Sequence, residues 1–401
     1  MTPQPPAAPS AVRGFALFAY GFRPFFLLAG LFAASAVPVW LALYHRGTLL
    51  LPALPPQLWH SHEMIYGFVA AAVAGFLSTA VPSWTGAKGF GGPPLIALAL
   101  VWLLGRTAFA LAGVLPVWVL VATELAFLPG LGVLLAPPLF RSRNRNTPLL
   151  IVLAVLWLAD VAFVVGFVLR DPALASHSLH IAIDMMLLVV TVIGGRIVPA
   201  FTANALRRRG EAASVRNRLW LERSLIVLMV MVAVVDLFQP DGTAAAWLAA
   251  LVAVAQALRL SGWRSLRTRG EAILWVLHVG YAWLPIGFAL KASWLLFGAG
   301  WAALWLHALT MGVFGTMILA VMTRTALGHT GRALTVSRSI AWAYVILTVG
   351  VAVRVFAPVV WPSHYFWTLL VSGALWTAAF AVYAVVYAPI LVRPRADGKP
   401  G

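Results

Sequence analysis

Apolar residues in this chain do not alternate with polar ones at the period of a strand or of a surface helix. They come in long, nearly uninterrupted blocks. A helix needs roughly 20 mostly apolar residues to cross a bilayer core. Blocks of that length lie near residues 25–43, 59–83, 95–113, 116–139, 148–169 and 177–204, and again near 219–238, 243–260, 272–291, 299–323, 339–357 and 364–391. The pattern predicts an all-α polytopic membrane protein, a single domain of about twelve transmembrane helices over residues 21–392. Residues 1–20 are expected to form a disordered cytoplasmic tail and residues 393–401 a second cytoplasmic tail. The opening MTPQPPAAPS is proline-rich and lacks the basic stretch of a secretory signal.

Composition sharpens this picture. The 401 residues are 62% hydrophobic and 10% charged, against roughly a quarter charged in soluble domains. The 28 Lys and Arg outnumber the 11 Asp and Glu, giving +17. In a soluble protein that excess would point to nucleic acid. Here the bases collect in alternate loops: Arg141, Arg143 and Arg145, then Arg207, Arg208 and Arg209, then Arg264, Arg267 and Arg269, then Arg393 and Arg395. Only Arg46, Arg170, Lys291 and Arg354 fall on the other side. Cytoplasmic loops are enriched in such residues, so both termini are expected inside a bacterial inner membrane, and no nucleic-acid partner is needed to explain the charge. The absence of cysteine excludes thiolate metal sites, iron–sulfur clusters and covalently attached haem. No loop is long enough for a soluble domain, so the chemistry rests on polar residues inside the spans.

Of nine histidines, His45, His60, His62, His177, His180, His307 and His364 fall on the periplasmic side or in the outer leaflet, and only His278 and His329 lie elsewhere. His60 and His62 open the second helix, His177 and His180 the sixth, and His307 stands early in the tenth, so they recur every fourth helix. Gly67 follows His62 by five residues, as Gly312 follows His307. Three pseudo-repeated four-helix arcs account for this spacing. Neutral imidazole suits haem iron, copper and zinc. His177 and His180, at i and i+3, share a helix face and can chelate one ion. Asp184, a turn further on, is a third ligand, an acceptor that fixes an imidazole tautomer, or the ion-pair partner of an arginine such as Arg106. His60 and His62, at i and i+2, do not share a face and are expected to serve different partners. Glu63 is a ligand, a proton carrier or a first-turn charge. Arg106, Glu124, Asp160 and Arg196 are further intramembrane charges, and Arg106, in the outer half, is the better candidate to anchor haem propionates. Met64, Met185, Met186 and Met311 either fill space or bind Cu(I).

Three segments, GFRPFF at 21–26, WHSHEMIYGFVAAAVAGFLSTAVPSWTG at 59–86 and HALTMGVFGTMILAVMTRTALGHTGR at 307–332, resemble the NnrS family, as does GGRIVPAFT at 194–202. The resemblance implies an inner-membrane protein with non-covalent haem b and copper, linked to nitric oxide response, protection or metabolism in denitrification and to nitrosative stress. It implies nitric oxide as a small-molecule ligand, and an electron donor that the sequence does not identify. The twelve-helix plan is also similar to that of haem–copper oxidase catalytic subunits. It departs from them in having no histidine in the seventh helix and one rather than two in the tenth. A reduced site is expected, with haem on His62 and His307, and copper on His177 and His180 with His60 or Asp184. The competing readings are a secondary transporter and a non-catalytic metal-cofactor assembly partner.

Overall fold

The computed structural model describes residues 14–46, 54–211 and 214–399. The expected first tail lies outside the described residues through residue 13, and so do residues 400–401 of the second. Among the described residues there is no strand. Each apolar block closes its main-chain hydrogen bonds within itself, the form hydrocarbon demands of a spanning segment.

The spanning helices are α1 (Phe22–His45), α2 (Pro56–Thr85), α3 (Pro93–Ala110), α4 (Val117–Arg141), α5 (Leu149–Leu169), α6 (Pro172–Arg208), α7 (Leu219–Phe238), α8 (Thr243–Ser261), α9 (Ala272–Phe297), α10 (Gly300–His329), α11 (Arg338–Val360) and α12 (Pro362–Val392). Eleven are long and apolar enough to cross a membrane. The other is α7, whose 20 residues have the length but include Glu222, Arg223 and Asp236. Two of these charges are neutralised inside the protein: Glu222 pairs with Arg259 of α8, and Asp236 with Lys291 of α9. The chain is an all-α polytopic membrane protein.

Four spans are irregular, and sequence reading did not anticipate this. α2, α6 and α10 each contain a π-helical stretch, at Glu63–Val69, Val190–Gly194 and Ala308–Gly315. These are the three helices that carry the recurrent histidines. α4 is broken between Glu124 and Phe127. In three of these places a side chain from a neighbouring helix donates to a carbonyl at the irregularity. Trp102 Nε1 reaches Gly67 O at 3.1 Å, Arg259 Nη1 reaches Thr191 O at 2.7 Å, and Trp157 Nε1 reaches Leu125 O at 2.9 Å. Irregular backbone persists at membrane depth only where the protein supplies such partners.

The helices close into a ring. α1 packs against both α2 and α12, and the pairs α5–α6 and α9–α10 repeat the α1–α2 contact around the bundle. At the terminal face, Ala16 N donates to Val392 O at 2.8 Å. Arg23, fully buried, donates to Leu391 O at 2.8 Å and Arg393 O at 2.7 Å, covering the last carbonyls of α12 with positive charge. Gly67 and Gly312 sit inside the π turns of α2 and α10 with aromatic rings against them. A Cβ at either position would overlap Phe32 or Trp283 respectively.

Burial makes the α7 pairs indispensable. Lys291 and Asp236 are 3% and 4% exposed. Replacing Lys291 with Met is expected to cost about 3–5 kcal/mol by stranding the carboxylate. Adding Asp236→Asn should recover most of the loss, as read from thermal unfolding of both variants in one detergent.

Candidate functional site

His60 and His62 leave α2 in different directions, as their spacing predicts. They enter two different environments.

His60 lines a cavity of about 110 Å³ together with His307, Met64, Met311 and Arg354. Trp40 of α1 stacks on the His60 ring with centroids 4.2 Å apart. Nδ1 of His60 is buried without a hydrogen-bond partner. Arg354 of α11 is 7% exposed. Its Nη1 has no hydrogen-bond partner, and no carboxylate among the described residues pairs with it. Its guanidinium carbon lies 5.9 Å from the centre of the Tyr365 ring. The remaining wall is mostly apolar, with Ser61, Thr310 and Ser372 as its polar members. A second cavity of about 100 Å³, lined by Phe26, Met186, Ile193 and Met317, shares Val69 and Phe314 with the first. The two together reach α2, α6 and α10, the helices with π turns. The arrangement offers two imidazoles, two thioethers and one unpaired cation inside apolar walls, a donor set for a metal or a metal-bearing macrocycle with an acidic edge.

His62 is fully buried on the other side of α2, among charges. Its Nε2 lies 3.1 Å from Asp160 Oδ1 of α5 and 3.6 Å from Glu124 Oε1 of α4, and its Nδ1 lies 3.2 Å from Glu63 Oε1. Arg106 of α3 bonds both Glu63 and Glu124. The imidazole is held between Phe109 and Phe163, with ring centroids at 4.1 and 4.4 Å. His62, Glu124 and Asp160 together present ligand atoms within 4.8 Å of one another, a group that can hold a metal ion.

The residues singled out in the sequence are thus divided. The structure brings together His60 and His307, and separately His62, Glu63 and Arg106. It does not bring His62 to His307, and Arg106 is committed to two carboxylates rather than left for an outside anion. His177 and His180 stand at the start of α6, where His177 Nε2 contacts Leu237 O at 3.0 Å and His180 Nδ1 contacts Ser176 O at 2.9 Å. Asp184 does not meet Arg106. It lies beside Asp236, close to the Lys291 pair. Arg354 was missed as a site residue because it reads as one more base near a loop. The signal that finds it is the repeat: α3, α7 and α11 each carry a buried charge near the same end, at Arg106, Asp236 and Arg354.

The sequence profile described as NnrS protein matches residues 16–395, nearly the whole chain. The chain belongs to the NnrS family. No curated relative matches it. Both histidine environments lie within the NnrS match, and the WHSHEM stretch at 59–64 contributes to each. In this NnrS member the two arginines differ in what they hold, and stability measurements separate them. Arg106→Leu leaves three clustered carboxylates without their cation and should cost about 3–5 kcal/mol. Arg354→Leu removes a charge that no protein carboxylate balances. In protein free of bound cofactor it should leave the unfolding temperature unchanged or raise it.

Proposed function

We propose that this NnrS-type protein is a haem- and copper-dependent inner-membrane protein of the nitric oxide response, with its metal chemistry in the outer half of the bilayer. The single observation that carries the reading is the convergence of His60, His307 and the unpaired Arg354 on one apolar cavity.

The donor set fits a haem. His60 and His307 offer imidazole to iron. The free Nη1 of Arg354 supplies the positive charge that a propionate needs in a low-dielectric wall. The volume of the first cavity suits a diatomic ligand. Neither cavity, at about 110 and 100 Å³, has the volume of a macrocycle, so haem binding requires the walls between them to move, Val69 and Phe314 being the side chains that both cavities share. Copper is assigned to His177 and His180, about one turn apart on α6. Each spends one ring nitrogen on a main-chain carbonyl, which fixes the tautomer and leaves the other nitrogen free. Met64 and Met311 make the cavity itself a second place suited to Cu(I). When bound, ferrous haem and Cu(I) supply affinity for nitric oxide. The protein's part is to hold the donors, to exclude water with apolar walls and to admit a small apolar molecule through lipid.

A transporter built as two halves repeats every six helices. The π turns here recur every four, which favours the metalloprotein.

Optical spectra of detergent-purified protein, oxidised and then reduced, with iron and copper quantified on the same sample, test the reading. A b-type spectrum that shifts on adding nitric oxide is expected. His60→Ala and His307→Ala should each lower haem content at least tenfold, and His62→Ala should leave far more haem bound. Protein that lacks both metals after expression with ample iron and copper overturns the proposal.

A further inference from the structure

The cluster around His62 belongs to neither the cavity nor the copper pair, and it has its own electrostatic problem. Glu63, Glu124 and Asp160 are 1%, 3% and 2% exposed, and Arg106 is the cation paired with them. With a neutral imidazole the group carries two excess negative charges, far from water. Low-dielectric surroundings do not hold such an excess uncompensated. Protons or a dication must balance it.

Geometry favours the dication. The separations of 3.1 and 3.6 Å from His62 Nε2 to the two carboxylate oxygens resemble the edges of a coordination shell. Bonds of roughly 2.0–2.2 Å to nitrogen and oxygen give edges of about 3.0–3.5 Å in octahedral or tetrahedral geometry. The Glu124 oxygen at 3.6 Å, Oε1, is the one that Arg106 bonds, while Oε2 has no hydrogen-bond partner although its residue is almost wholly buried. A Cβ built on Gly105 would lie 3.3 Å from that oxygen, so the glycine leaves the carboxylate its room. The other face of the imidazole is equally prepared. Nδ1 faces Glu63, Glu63 is gripped by Arg106, and Phe109 and Phe163 fix the ring plane. A carboxylate behind a metal-bound histidine is the usual means of fixing its tautomer.

We propose that His62 Nε2, Glu124 and Asp160 bind one divalent first-row cation with a preference for imidazole and carboxylate, such as zinc, manganese or ferrous iron, with Glu63 and Arg106 as positioning residues. The three ligating groups offer nitrogen and oxygen only, which separates the site chemically from the Met64 and Met311 cavity suited to Cu(I). The site does not depend on the haem and copper reading.

The test uses full-length protein carrying His60→Ala and His307→Ala, stripped with a chelator and titrated with Co(II), then with Zn(II). The expected result is one equivalent of Co(II) with visible bands typical of nitrogen and oxygen ligation, displaced by Zn(II), and a rise in unfolding temperature on adding metal. Asp160→Asn and Glu124→Gln should each weaken Co(II) binding at least tenfold and abolish the metal-dependent rise. Glu63→Gln should weaken binding about tenfold. Because these substitutions remove buried negative charge, the metal-free variants are expected to fold, and their unfolding temperatures check this directly. Two results overturn the proposal: no stoichiometric binding to the parent protein, which assigns the cluster to protons alone, or binding that survives Asp160→Asn and Glu124→Gln unchanged. Loss of haem in the parent variant with Co(II) binding intact separates this site from the cavity.

Discussion

Hydrocarbon offers no hydrogen bonds and no screening, and most features of this bundle answer that one condition. At three of the four places where the backbone departs from the α-helix, a neighbouring side chain takes a carbonyl at the departure: Trp102 for Gly67, Arg259 for Thr191 and Trp157 for Leu125. Several charges inside the spans are met by an opposite one from another helix, as Glu222, Asp236, Glu63 and Glu124 are. Arg259 performs both tasks at once, since it also binds Glu222 and receives Tyr281 and Gln256 into the same network. Such contacts fix the relative depth of α6, α7, α8 and α9, because moving any one by a turn would break several bonds that nothing else can replace.

Against this background, departures from full pairing carry information. Asp236 has Lys291, and Glu63 and Glu124 have Arg106. Arg354 has no carboxylate partner among the described residues, and it lines a cavity with two histidines. The balance is uneven in opposite senses at the two sites, with surplus positive charge at the His60 cavity and surplus negative charge at the His62 cluster. An anionic group suits the first and a cation the second. Neither inference depends on the fold alone. Both follow from charge counting in a medium that does not tolerate imbalance.

Much of the architecture was legible in the sequence because it is set by length. A block of about 20 apolar residues is a span whatever it packs against, and α7 was read by its length alone, while the partners of its Glu222 and Asp236, Arg259 and Lys291, emerged only in the structure. The alternation of loop arginines agreed with the same span count. The π turns were not legible, since an extra residue per turn leaves hydropathy untouched. Counting five residues from His62 to Gly67 and five from His307 to Gly312 aligns His62 with His307, and a count along the chain does not say which helix face meets the cavity. In three dimensions it is His60, two residues earlier, that shares a cavity with His307. The split between His60 and His62 was readable from their i, i+2 spacing, but which of the two faced the cavity was not.

That spacing also binds the two environments together. Residues two apart on a helix point about 200° from one another, so a single turn of α2 presents His60 to the bundle interior and His62 to the α3–α4–α5 side. The His62 ring is clamped between Phe109 and Phe163, with Nδ1 beside Glu63, which Arg106 bonds, and Nε2 beside Asp160 of α5. This turn of α2 therefore cannot rotate to suit whatever occupies the cavity. Adjustment has to come from the opposite wall, where His307 opens the π stretch of α10 and its neighbours Thr310, Met311 and Phe314 line the cavity. The polar cluster thus fixes the α2 wall of the cavity, while the α10 wall is set by the π stretch that His307 opens.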